Sequence, residues 1–105
     1  QYRINKTPYP ANIALGEDYP FIVVVPQCNA AFFTCANYAQ TAWTHEVLTT
    51  IETTYRVDPK RIYMVGMSNG GGGVWNYLVA HPEKIAAAVP VAATTFSYTT
   101  GAAGT

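Results

Sequence analysis

Apolar positions along the chain alternate between two patterns, and the alternation predicts the order of its elements. Phe21-Ile22-Val23-Val24-Val25 is an unbroken β-branched run stopped by Pro26. A run apolar on both faces suits a strand buried inside a parallel sheet. From Ala42 to Arg56 the residues Trp43, Val47, Leu48, Ile51 and Tyr55 recur at helical spacing with polar residues between them, so an amphipathic helix is predicted there. Val57-Asp58-Pro59-Lys60 ends it, because the residue before a proline is pushed out of the helical region. Ile62 to Val65 reads as a second short strand. Asn69 to Ala80 reads as a second helix whose buried side is Val74, Trp75, Leu78 and Val79, closed by His81-Pro82. Ile85 to Val91 begins as a turn and becomes a third strand, Ala87 to Val91. Residues 1 to 20 form an irregular lead-in with a short helical turn over Pro10 to Leu15, and Ala92 to Thr105 shows no period.

This order, β-α-β-α-β, implies an α/β fold with a parallel sheet and right-handed crossovers, in one partial or minimal domain spanning residues 1–105. Strands of this kind want cover on both faces, and crossover helices on one side would leave the other bare. A sizeable exposed apolar face is therefore expected, covered by a second copy or by further chain.

Composition sharpens this. Hydrophobic residues make up 50% of the 105 residues and charged ones 11%. That suits a core cut from something larger, or a surface buried against a partner. Six basic and six acidic residues leave no net charge, and no basic stripe supports nucleic-acid binding. No apolar run approaches the roughly 18 residues of a membrane span. No signal sequence stands at Gln1, as would also hold for a processed precursor, so a secreted and a cytoplasmic setting both remain open. Cys28 and Cys35 either close a small loop as a disulfide or stay as two thiols. With two distant histidines they form no zinc spacing, so no metal and no cofactor is expected.

The chemistry concentrates in Gly66-Met67-Ser68-Asn69-Gly70. A G-x-S-x-G pentapeptide between a strand and a helix holds its serine on a tight, strained turn, with the hydroxyl thrust out at the carboxyl end of the sheet. Small neighbours, here Gly66 and Gly70, give the two backbones room to pass. The helix aims its N-terminus at the serine, and the Asn69 N–H becomes an oxyanion donor. The plainer reading is a glycine-rich packing turn. Two other glycine motifs fail. A P-loop needs lysine and then serine or threonine after its last glycine, where Val74-Trp75 follow Gly73. A dinucleotide fingerprint would need glycine in place of Trp75 or Asn76.

Asp58-Pro59-Lys60-Arg61-Ile62-Tyr63-Met64-Val65-Gly66-Met67-Ser68-Asn69-Gly70-Gly71, then Trp75, then His81 to Val91, resembles the nucleophile-elbow region of the α/β-hydrolase superfamily. Within it the likeness is to esterases of the polyhydroxybutyrate-depolymerase and feruloyl-esterase kind, and Pro20 to Cys28 resembles one of their strands. The resemblance implies a partial three-layer hydrolase fold and an ester substrate, with Ser68 as nucleophile. It also implies an acid after a later strand, a histidine after the last one, and a further strand between those that Phe21–Val25 and Ile62–Val65 resemble. It implies as well a histidine-glycine turn upstream. None of these has a counterpart here, so either a piece of a longer enzyme or a reduced version is expected.

A serine is a poor nucleophile without a base. His45, expected near the start of its helix on the Ser68 side, is the candidate; a solvated surface histidine is the plainer reading. His81 reads as a helix C-cap, about 20 Å along the helix from Ser68. Two further readings stand beside the esterase: a non-catalytic oligomeric α/β domain keeping the elbow as a structural turn, and a nucleotide-binding module of flavodoxin-like topology.

Overall fold

The computed structural model describes residues 8–27 and 38–93. Cys28 and Cys35, and with them the disulfide question, lie outside these residues. The chain opens with α1, Pro8–Ala14, whose two prolines fall in the first turn where no backbone N–H is needed. Gly16, at φ 95°, ends it. There the Gly16 N–H donates to the Ile13 carbonyl and the Glu17 N–H to the Asn12 carbonyl, at 3.0 and 2.9 Å. This is a Schellman closure, which needs a left-handed residue at that position.

Helix α2, Tyr38–Thr54, begins four residues before the expected start. The chain then turns at Asp58, whose carboxylate accepts from the Lys60 N–H and from the Arg61 guanidinium at 2.9 and 2.8 Å. These two hydrogen bonds, the backbone one first, hold the Asp58 carboxyl below its ordinary range. Strand β1, Tyr63–Met67, leads into α3, Asn69–Ala80, then a 3-10 turn at Pro82–Lys84 and strand β2, Ala87–Val91. The two strands pair in parallel, with Tyr63 opposite Ala87 and Met67 opposite Val91. The result is an α/β unit with a β-α-β crossover between two parallel strands.

The sheet differs from expectation in one respect. Phe21–Val25 runs without regular structure and joins no ladder, and Phe21, Ile22 and Val24 are exposed. A parallel strand exists only through its neighbours. The intervening strand that the resemblance implies has no counterpart among the described residues, so β-branched propensity alone does not make Phe21–Val25 a strand. The described sheet therefore has two strands, not three.

Each strand alternates between a half-buried and an exposed position. Met64, Gly66, Ala88 and Pro90 share the half-buried face, which α3 covers. Tyr63, Val65, Met67, Val89 and Val91 share the opposite face and are exposed. The expected bare apolar face is thus present, and among the described residues one helical layer, not two, lies on the sheet.

Helix α3 has the expected ends but is turned about its axis. Its buried residues are Gly71, Gly72, Val74 and Tyr77, while Trp75 and Val79 stand exposed. The helix is apolar almost all round, so sequence periodicity leaves its facing side ambiguous. Contact with the sheet selects the side carrying the least bulk at its first turn. Trp43 and Tyr55 of the expected α2 stripe are also exposed, because among the described elements α2 packs on α3 alone. No helix of the described residues is long and apolar enough to cross a membrane.

Candidate functional site

The strand β1 ends at Met67 and α3 begins at Asn69, leaving a single residue to reverse the chain. That residue is Ser68, at φ 54° and ψ −115°. A side-chain-bearing residue rarely adopts this backbone conformation, which costs on the order of 1–3 kcal/mol and persists only where the surroundings over-determine it. Two hydrogen bonds do so. The Ser68 N–H donates to the Val91 carbonyl at the end of β2, at 2.8 Å, and the Ser68 carbonyl accepts from the Gly72 N–H at 3.1 Å, the first bond of α3. The residue is exposed and its side chain makes no capping hydrogen bond. The backbone is thus fixed by main-chain bonds while the serine stands at the surface, beyond the carboxyl ends of both strands. The next residue after β2's last, Ala92, is also left-handed at φ 44°. Two strained positions therefore lie side by side at this edge.

Gly66 is required by close approach. A β-carbon there would fall on the Gly70 carbonyl oxygen and 2.8 Å from Val74 Cγ2. Gly70, the other small residue of the pentapeptide, is different: a β-carbon there meets nothing within 4 Å. The second close approach is made by Gly71. Its β-carbon would lie 2.9 Å from both Ala93 Cα and Ala93 Cβ, and 3.2 Å from the Val91 carbonyl oxygen. The run of glycines hides this in the sequence, but the facing side of α3 reveals it. Gly71 is buried against the end of β2, whereas the β-carbon position of Gly70 faces open space.

This contrast is testable by substitution. Gly71→Ala should lower stability by about 1–3 kcal/mol through overpacking against β2's end. Gly70→Ala should be neutral or stabilise by up to about 1 kcal/mol, since alanine favours the helix and finds open space. Urea unfolding monitored by circular dichroism measures both.

Asn69 opens α3. The N–H groups of a helix's first turn have no intrahelical acceptor and carry its positive dipole end, so the end of α3 adjoining Ser68 is a setting suited to negative charge.

The histidines lie elsewhere. His45 Nδ1 is 2.9 Å from the Tyr77 hydroxyl, and its ring stacks on His81 with centroids 3.8 Å apart and planes 5° from parallel. His81 is the C-cap of α3, its N–H donating to the Tyr77 carbonyl at 2.8 Å. The twelve residues of α3 span about 18 Å at about 1.5 Å each, and Ser68 sits at the other end. The expectation that His45 serves Ser68 as base is thereby corrected. Because α2 starts at Tyr38, His45 falls two turns inside the helix, where α2 lies against the C-terminal part of α3. The reading of His81 as a C-cap agrees with the geometry. Burial pushes the Tyr77 hydroxyl up to about 12, helped by the negative charges of Glu52 and Glu83. Desolvation first, and then the neighbouring His45, hold His81 below its ordinary value.

A strand, a one-residue turn at positive φ and a helix seated on glycine together make the strand–turn–helix crossing of an α/β-hydrolase core. Residues 5–91 match the family described as "Alpha/beta hydrolase of unknown function (DUF915)", and the chain belongs to that family. No curated protein and no solved structure matches it.

Proposed function

We propose that the protein is a carboxylic ester hydrolase working by acyl transfer through Ser68. The observation that carries this reading is the backbone of Ser68, held at φ 54° and ψ −115° between β1 and the N-terminus of α3. Strain of that size at an exposed, hydroxyl-bearing residue serves no packing purpose, since the side chain caps nothing. In the proposed reaction Ser68 Oγ adds to the ester carbonyl as its proton passes to a base. The developing oxyanion is held by the Asn69 N–H and the dipole of α3. The carbon–oxygen bond to the alcohol then breaks, the alcohol leaving with a proton. Water adds to the acyl-serine, releasing the acid and restoring Ser68. Base and acid come from outside the described residues, since both histidines of the chain lie at the far end of α3. The stretch from Asp58 to Gly71 further suggests substrates of the kind taken by polyhydroxybutyrate-depolymerase-like and feruloyl-esterase-like enzymes.

A second reading, a non-catalytic oligomeric domain retaining the elbow as a structural turn, draws on the bare sheet face of Tyr63, Val65, Met67, Val89 and Val91 and on the distance between Ser68 and the histidines. A fluorophosphonate probe separates the two. Covalent labelling mapped by peptide mass spectrometry to Ser68, with turnover of a short-chain chromogenic ester, is the expected result. Absence of both overturns the esterase and leaves the scaffold.

A further inference from the structure

The polar cluster between α2 and the C-terminal end of α3 takes no part in the chemistry proposed for Ser68. It is built from His45 on α2, Tyr77 and His81 on and after α3, and the ion pair of Glu52 with Lys84, 2.8 Å long. The Tyr77 side chain is 1% exposed. A buried phenol needs an acceptor for its hydrogen, and Nδ1 of a neutral His45 supplies one at 2.9 Å. The ring of His45 lies flat on that of His81, and Tyr77 tilts against both, 6.0 and 5.0 Å away. Among the described elements α2 rests on α3 alone, and this cluster supplies polar ties that fasten the helix.

We propose that the stacked pair of His45 and His81 is a proton-sensitive latch: with at most one imidazole protonated it fastens α2 to α3, and protonation of both releases the helix. Two imidazolium rings at 3.8 Å repel directly. The groups facing the pair do not offset this. On α2, Glu52 is already engaged by Lys84. After α3, Lys84 adds positive charge, and Glu83, whose Oε1 lies 4.0 Å from His81 Nδ1, is mostly in solvent. On α3, Tyr77 stays neutral through this range.

The direction with pH follows. His81 is held below its ordinary value in the folded chain, so the unfolded chain takes up that proton first. The stability contributed by the neutral pair is complete above the ordinary histidine range of about 6.5 and is lost as pH falls through it toward the lowered value of His81.

The test is an NMR titration of the imidazole C–H signals from pH 8 to 4.5, combined with hydrogen–deuterium exchange of α2 peptides at pH 7.5 and 5. Expected is a His81 step displaced below the ordinary histidine range. The His81 midpoint should move up in His45→Gln. After correction for intrinsic rates, exchange within 41–54 should rise several-fold at pH 5 in the wild type and stay flat in His81→Gln. The wild-type measurements stand by themselves if either variant fails to fold. A His81 midpoint at the ordinary histidine value, one indifferent to His45→Gln, or α2 protection unchanged between the two pH values would each overturn the latch.

Discussion

Ser68→Ala in the intact protein is expected to lower kcat/KM on a short-chain aryl ester by about 10³-fold or more, the scale of losing a nucleophile while binding contacts remain. Circular dichroism and the unfolding midpoint should stay close to wild type, because the exposed hydroxyl caps nothing and alanine keeps the β-carbon that the strained backbone already accommodates. Ser68→Gly makes a sharper companion. Glycine enters the positive-φ region without penalty, so this variant should lose activity equally yet gain about 1 kcal/mol of stability. Opposite movements of rate and stability at one residue are the signature of backbone strain kept for chemistry. A Ser68→Ala variant that retains its esterase rate would remove Ser68 from the mechanism.

The second large effect belongs to Gly66→Ala. The added methyl would occupy the place of the Gly70 carbonyl oxygen and press on Val74 Cγ2 at 2.8 Å. The first obstacle is backbone, fixed by the opening turn of α3, and the second is one of the least exposed side chains described, at 3%. Neither can swing aside as a flexible side chain could. Relief requires moving α3 off β1, so a loss of about 3 kcal/mol is expected, at the upper end of overpacking costs. For a chain of this length that lowers Tm by roughly 10 °C or more. The check is the urea midpoint at constant m-value, with Gly70→Ala as the control that adds the same methyl to open space. Equal midpoints for the two variants would contradict the close approach of β1 and α3.

Much of the elbow is legible before any coordinate is known. Asn69–Ala80 and Ala87–Val91 form the helix and strand their residues predict. Pro82 limits the helix from outside, and G-x-S-x-G marks the turn between strand and helix. Local chemistry suffices where the determinant is local. It fails where the determinant is a neighbour. Phe21–Val25 has the residues of a strand but no partner in the described sheet. Trp75 and Val79 are as apolar as Val74, yet rotation of α3 about its axis sends them to solvent. For His45, a start four residues earlier for α2 moves the ring from the expected Ser68 side to a stack on His81. The family match supports the hydrolase core, while the ester chemistry proposed for Ser68 draws its support from the strained turn.

The bond from the Ser68 N–H to the Val91 carbonyl carries one more implication. The pose of the Ser68 backbone draws on two strands at once: β1 delivers the residue, and β2 supplies the acceptor for its N–H. Because β2 arrives after α3 in the chain, the elbow cannot reach its final pose during synthesis until Val91 has emerged and docked. A nascent chain ending at Ala80 would therefore hold the serine without its orientation.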